Sequence, residues 1–261
     1  MSRKESGIMR SVFPLNQIIH GDCLEVMPSI PDKSIDMILC DLPYGTTACK
    51  WDTVIPFEPL WKEYKRLIKD NGAIVLTASQ PFTSALVMSN PKMFKHEWIW
   101  QKDKGGNIAL LKYQPSKVHE SVLVFSMSTV AYMPIMEIRP DENKRNNNVR
   151  YNNVGVQGGK KFLTVQSKGA DDYKYPTSVK YFNVVRNGLH PTQKPVDLFE
   201  YLIRTYTNEG ETVLDNCIGS GTTAIACINT NRNFIGIEEE EKYVEIARKR
   251  IAEYQRQMSI V

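Results

Sequence analysis

An α/β fold is predicted: an open, mostly parallel sheet with helices on both faces. Short apolar runs alternate with helix-spaced segments from about residue 16 onward. TVLDNCIGSGTTAIACINTNRNFIGIE reads as strand, tight glycine turn, helix and second strand, a complete βαβ unit. Between about 101 and 185 the alternation breaks into a polar, Gly- and Asn-rich stretch. A structureless loop of that length is anomalous in a compact domain, so an inserted subdomain or a ligand-gripping excursion is expected.

The elements follow in order. NQIIHGD (16–22) and SIDMILC (34–40) read as buried strands, with CLEVMPSI a short helix or turn interrupted at Pro28. In PFEPLWKEYKRLIKDNG, the residues Leu60, Trp61, Tyr64, Leu67 and Ile68 have helical spacing, and Asn71-Gly72 is expected to close the helix. AIVLTA (73–78) is a buried strand, SQPFTSALVM begins a helix, and FKHEWIW (94–100) and SVLVF (121–125) are strands. Regularity resumes at Pro195, near the start of a helix carrying Val196, Phe199, Leu202 and Ile203. The segment from Glu240 to Met258 is amphipathic, and its stripe of Tyr243, Val244, Ala247, Ile251, Tyr254 and Met258 is assigned to core packing.

With 261 residues, 42% apolar and 24% charged, the chain suits one core, or one core with an inserted subdomain. Its longest apolar runs fall far below the ~20 residues of a membrane span, and MSRKESGIMR lacks a signal-peptide core, so cytoplasmic residence is expected. Cys23, Cys40, Cys49, Cys217 and Cys227 form no CxxC pair, the four histidines are dispersed, and HExxH is absent. Reduced, buried thiols and no metal are expected. The net charge of +4 says little by itself. Arg139, Lys144, Arg145, Arg150, Lys160 and Lys161, set among Asn and Gly, read either as a solvated loop or as a phosphate-contacting surface.

Two short stretches carry chemistry. Gly219, Gly221 and Ala224 have GxGxxA spacing directly after the strand TVLD. The glycines permit a tight turn and close approach of a ligand, and the helix opening at Thr222 can offer backbone N–H groups to an anion. Glu238 ends the next strand, 23 residues after Asp215, which suits two acids facing a nucleoside-like cofactor. On these residues alone NAD or FAD stays open, while GxxxxGK[ST] is absent. DMILCDLPYG (36–45) opens a buried strand onto Asp41, Leu42, Pro43 and Tyr44, which on their own describe a chain-turning strand end.

Taken together, these motifs carry a family resemblance. DLPYG (41–45) resembles the DPPY-type catalytic loop of amino-group DNA methyltransferases, and LDNCIGSGTT (214–223) resembles their S-adenosylmethionine loop. HPTQKPVDLFEYLI (190–203) is similar to the segment preceding that loop. Catalytic loop first, variable recognition region next and cofactor loop last is the order of the family's beta group, and the resemblance spans about 16–250. It departs at Leu42, where the first proline is usual, and at Asn216 and Cys217, where Pro and Phe are common.

The resemblance implies an S-adenosylmethionine-dependent methyltransferase fold of Rossmann-like type. Its parts are a catalytic section (16–128), an inserted target-recognition region (129–186) and a cofactor-binding section (187–258). It assigns Asp22 near the cofactor's adenine, and His190, Thr192 and Lys194 around its methionine part, with Thr192 and Lys194 toward the carboxylate. Asp215, Gly219, Ser220, Gly221, Thr222 and Thr223 form the cofactor turn, and Glu238 meets the ribose. The implied reaction is methylation of N6 on an adenine swung out of duplex DNA. Asp41 and the Leu42 carbonyl accept the amino hydrogens, Pro43 turns the chain and Tyr44 stacks on the base. An acid at the first position favours adenine over cytosine N4, the nearer alternative. A dinucleotide-dependent oxidoreductase leaves DLPYG and HPTQK unused, and a noncatalytic DNA-binding protein is the third reading. The six basic residues of 139–161 are candidate DNA contacts. A homodimer, a companion restriction endonuclease and nucleoid association complete what the resemblance implies.

Overall fold

The structure is a computed structural model describing residues 13–47, 49, 52–140, 155–157, 160–162, 172–186, 188–190 and 192–259. From the N-terminus run β1 (Gln17–His20), α1 (Cys23–Val26), β2 (Ile35–Cys40), α2 (Phe57–Leu67), β3 (Ile68–Ala78), α3 (Phe82–Ser89), β4 (Phe94–Gln101) and β5 (His119–Phe125). β6 (Glu137–Ile138), β7 (Gly155–Gln157), β8 (Lys160–Phe162), β9 (Tyr173–Lys174) and β10 (Val179–Tyr181) follow. The chain ends with α4 (Val196–Tyr206), β11 (Thr212–Asp215), α5 (Thr222–Asn229), β12 (Asn233–Glu238) and α6 (Glu241–Met258).

Eight strands form one sheet in the order β1-β12-β11-β2-β3-β5-β4-β10. Every pairing is parallel except the two made by β5, which runs antiparallel to β3 and to β4. The mostly parallel sheet is therefore as expected. Alternation along β2 divides its side chains between two cores: Met37 and Leu39 pack with Leu198, Phe199 and Leu202 of α4, Ala224 of α5 and Val244 of α6. Ile38 and Cys40 pack with Met27, Leu60, Trp61, Tyr64 and Phe82 on the opposite face. Because only β5 is reversed, the carboxyl ends of the other strands and the amino end of β5 share one edge. β11 and β2 lie side by side where the strand order turns outward in both directions, the place where open α/β sheets hold ligands.

Three expectations are corrected. α2 ends at Leu67, and Asn71-Gly72 lies inside β3 at an irregularity where Ile35 faces Ile68 but Met37 faces Ala73. Gly72 is required there by close approach, since a Cβ would stand 2.7 Å from the Asp36 carbonyl oxygen. On α6, Val244, Ala247 and Ile251 are buried, whereas Met258 is exposed and Tyr243 faces a cavity. Residues 178–186, grouped from sequence with the insert, contribute β10, which pairs with β4 in the main sheet.

The chain divides into two compact units: the described residues of Met1–Met133 with Ser178–Val261, and those of Pro134–Thr177. In the second, β6 pairs antiparallel with β9 and β7 with β8. Arg139 N donates to Asp172 O at 2.7 Å, and its guanidinium donates to Tyr173 O at 3.3 Å. Lys160 and Lys161 belong to β8, while Lys144, Arg145 and Arg150 lie outside the described residues.

Candidate active site

A cavity of ≈ 930 Å³ opens along the shared strand edge. It is lined by Asp22 after β1, Asp41 to Tyr44 after β2, Ser79 after β3, Lys102 after β4, Glu120 of β5, Asp215 of β11 and Glu238 of β12. Residues far apart in sequence converge because parallel strands present their ends together.

At one end stands Asp41. Its Oδ1 accepts a hydrogen bond from Tyr44 Oη at 2.8 Å and another from Thr77 Oγ1, and its Oδ2 lies 2.6 Å from Lys194 Nζ. Lys194 is 6% exposed and stands 3.5 Å from Glu120 Oε2, while Glu120 Oε1 pairs with Lys102. Burial alone would lower the Lys194 pKa, but the charges of Asp41 and Glu120 outweigh it and raise the value, so the ammonium is retained. The resemblance places Lys194 toward a cofactor carboxylate; in the structure it lines the cavity and is the counter-ion of Asp41. Tyr44 stacks against Phe82 with ring centroids 5.2 Å apart, and burial, followed by the charge of Asp41, pushes its phenol well up.

The loop after Tyr44 is tied down by Asp52. One carboxylate oxygen accepts from Gly45 N at 2.9 Å, and the other from Thr46 N at 2.9 Å and Thr47 N at 2.6 Å. Burial opposes ionisation of Asp52, but hydrogen bonds from Thr47, Gly45 and Thr46 outweigh it and lower the pKa.

The glycine turn builds the other end. Gly219 (φ 53°) and Gly221 (φ 85°) are left-handed, as the turn demands. Gly219 N donates to Glu238 Oε2 at 2.8 Å and Glu240 N donates to Glu238 Oε1 at 3.0 Å, leaving each oxygen further accepting capacity toward the cavity. Burial raises the Glu238 pKa. Asp215 is buried beneath the turn, accepting from Cys217 N at 3.1 Å and from Thr223 Oγ1, and burial pushes its carboxyl up to about 7. His190 Nδ1 lies 3.1 Å from Thr192 Oγ1, and its ring is 4.4 Å from that of Tyr243. Burial lowers the His190 pKa. Asp22 caps α1 through a 2.8 Å bond from Leu24 N while also lining the cavity.

Two predicted cofactor residues stand behind the lining. A Cβ on Gly221 would meet Ala247 of α6 at 3.3 Å, so this glycine serves helix packing, and Thr223 holds Asp215. Ser220 and Thr222 do line the cavity; Ser220 Oγ reaches Gln193 Oε1 at 3.2 Å, and Arg250 reaches Ser220 O at 3.0 Å. The unusual Asn216 is held by Tyr64 Oη at 2.6 Å, a contact that proline could not make. Cys217 and Cys23 sit at the cavity wall, where their mutual hydrogen bond, then burial, pushes the Cys23 thiol far up. All five cysteines are free.

Thr77, Glu120, Lys102, Asp52 and Phe82 were not read from the sequence as site residues, and Tyr243 was expected in the core. Their relation to the motifs is spatial; only Asp52, close behind DLPYG, had a local signal, as an acid following a glycine turn. Among the described residues no group of three or more His, Cys, Asp or Glu could hold a metal ion. No helix among them is long and apolar enough to cross a membrane.

Comparison with known proteins accords with this geometry. The family model described as DNA methylase (N6_N4_Mtase) matches residues 35–249. The DNA adenine methyltransferase YhdJ of Escherichia coli (strain K12) is 29% identical over 260 residues, covering 90% of this chain and 82% of that protein. The crystal structure of the M1.HpyAVI–SAM complex superposes with a TM-score of 0.60 at 25% identity, covering 90% of this chain and 98% of that one. The PvuII DNA methyltransferase (cytosine-N4-specific) shares the fold with a TM-score of 0.62 at 16% identity, covering 92% and 91%. With the strand order, the acid-ended strands and the glycine turn all in place, this chain belongs to the DNA methylase family of amino-group methyltransferases.

Proposed function

We propose that the protein, a DNA methyltransferase using S-adenosylmethionine, methylates N6 of an adenine extruded from duplex DNA. The observation that carries the reading is Asp41: an acid at the cavity wall, oriented through both oxygens by Thr77, Tyr44 and Lys194. The residues at the other end suit the cofactor, because Glu238 keeps acceptor capacity for vicinal hydroxyls and the Gly219 turn admits close approach. When bound, S-adenosylmethionine supplies an electrophilic methyl group on a sulfonium.

Adenine N6 is a poor nucleophile because its lone pair is delocalised into the ring. Asp41 Oδ2 retains a lone pair beside Lys194, and the Leu42 carbonyl supplies the second acceptor. Hydrogen bonds to both pull the amino group toward tetrahedral geometry and direct its lone pair at the methyl carbon. As the N–C bond forms and the C–S bond breaks, the surplus N6 proton leaves along the hydrogen bond to Asp41. The chain thus acts by positioning and electrostatics. Lys194 is a positioning residue, holding the carboxylate aimed through its 2.6 Å contact with Asp41 Oδ2. Tyr44, backed by Phe82, stacks on the base.

Cytosine N4 needs the same acceptors, and the PvuII enzyme shows that its fold is shared. The acid at position 41 and the adenine-modifying relative favour N6. The Pro134–Thr177 unit is the proposed target-recognition region, with Arg139 among its DNA contacts. Cytoplasmic residence beside the nucleoid, a homodimer and a companion endonuclease belong to the same reading. The test is transfer of labelled methyl to duplex DNA followed by nucleoside analysis. N6-methyladenine is expected, and N4-methylcytosine as the sole product would overturn the base assignment.

A further inference from the structure

Residues 102–118, between β4 and β5, present an apolar tip to solvent. Ile108 is 64% exposed, Leu110 48%, Leu111 49% and Tyr113 86%. The tip has a defined backbone. A 3-10 turn at Ile108–Leu110 continues into a turn in which Tyr113 N donates to Leu110 O at 2.9 Å. Asn107 bridges the base of the loop, donating to Pro115 O at 2.9 Å and accepting from Lys117 N at 2.7 Å. Lys102 N closes the loop on Val118 O at 2.8 Å. Four large side chains are therefore held together in water by a built loop, an arrangement that marks a contact surface.

Charge and place indicate the partner. The loop carries Lys102, Lys104, Lys112 and Lys117 against one acid, Asp103. Asp103 is already engaged by Val184 N at 2.7 Å and Arg186 at 3.2 Å. Lys104 and Lys112 have no ion pair among the described residues, which leaves them for a polyanion. Asn107, Leu110, Gln114 and Lys117 line the same cavity as Asp41, so the tip borders the space into which a base would swing.

We propose that this loop enters the duplex, with Leu111 and Tyr113 filling the gap left by the extruded base while Lys104 and Lys112 hold the flanking phosphates. The inference rests on the methyltransferase reading. Extruding a base leaves an unstacked, apolar-walled vacancy, and an apolar wedge recovers part of the lost stacking.

The test compares two duplexes built on a site mapped from DNA of cells expressing the protein, one fully paired and one with an abasic position opposite the target base. For Leu111→Ser with Tyr113→Ser, single-turnover methylation of the paired duplex should fall about tenfold or more, because extrusion costs a few kcal/mol. On the abasic duplex, where less pairing must be broken, most of the rate should return. Calorimetric affinity for S-adenosylhomocysteine should be unchanged, which also shows that the variant is folded. Equal losses on the two duplexes, or no loss, would overturn the proposal, as would a loss that tracks dissociation of a dimer, which assigns the tip to a second copy. Failure of the unaltered protein to methylate either duplex would instead remove the methyltransferase reading beneath it.

Discussion

Asp41 and Glu238 both end strands on one edge of the sheet, yet they are held in different ways. Backbone N–H groups of Gly219 and Glu240 fix Glu238, so its direction follows from the glycine turn. Side chains hold Asp41: a hydroxyl from β3, the Tyr44 phenol and an ammonium 153 positions away. A backbone-held acid suits a group that must recognise one shape. An acid held by side chains has its direction set by neighbours, each of which can be altered separately.

Asp41→Ala tests that contrast most severely. Turnover should fall by about 10³-fold while affinity for S-adenosylhomocysteine remains, in the range typical for removing a group that handles a proton. Wild-type turnover would break the comparison. Lys194→Met should come next, because it removes the cation between Asp41 and Glu120 and leaves Asp41 without its ion-pair partner in a partly buried pocket. A destabilisation of about 3 kcal/mol is expected in denaturant melts, and adding Glu120→Gln should restore part of it. Independent, additive effects would show that the Lys102–Glu120–Lys194–Asp41 chain is not one network.

On the backbone-held side, Glu238→Gln should weaken cofactor binding by about tenfold, the value of one or two hydrogen bonds, with little change in single-turnover rate at saturating cofactor. A purely kinetic defect would contradict a ribose role. Asp215 gives a pH signature. Its folded pKa of about 7 lies above the ordinary carboxylate value of 3.8, so the protonated form favours folding. That contribution is complete below about pH 4, declines as pH rises and is gone above about pH 7. Tm should therefore fall from pH 5 to 8 more steeply in the unaltered protein than in Asp215→Asn; parallel slopes would assign the titration elsewhere. The smallest effect belongs to Leu42→Pro. The proline leaves the carbonyl acceptor in place, so methylation should change by less than about threefold.

Legibility followed the same division. The turn at 214–223 and its acids could be read because their partners are near in sequence or separated by one βαβ unit: Asp215 with Cys217 and Thr223, Gly219 with Glu238. The network around Asp41 could not, since Thr77 reads as one more residue of a buried strand and Glu120 falls just before the strand read at 121–125. Asn71-Gly72 misled for a related reason. Its turn chemistry is real, but pairing of β2 with β3 on both sides of the pair made it a strand irregularity. Tertiary pairing outweighs local preference when the flanking runs are buried.

Sequence by itself determined the alternating architecture, the order of the motifs and the chemical kinds at the strand ends, because side-chain periodicity and glycine turns are local properties. Tertiary structure alone decided that Lys194 answers Asp41, that Gly221 and Thr223 stand behind the cavity, and that an apolar, lysine-flanked loop borders it. Those relations arise from sheet order, which brings strand ends together across long stretches of chain, and no spacing within the sequence encodes such a meeting.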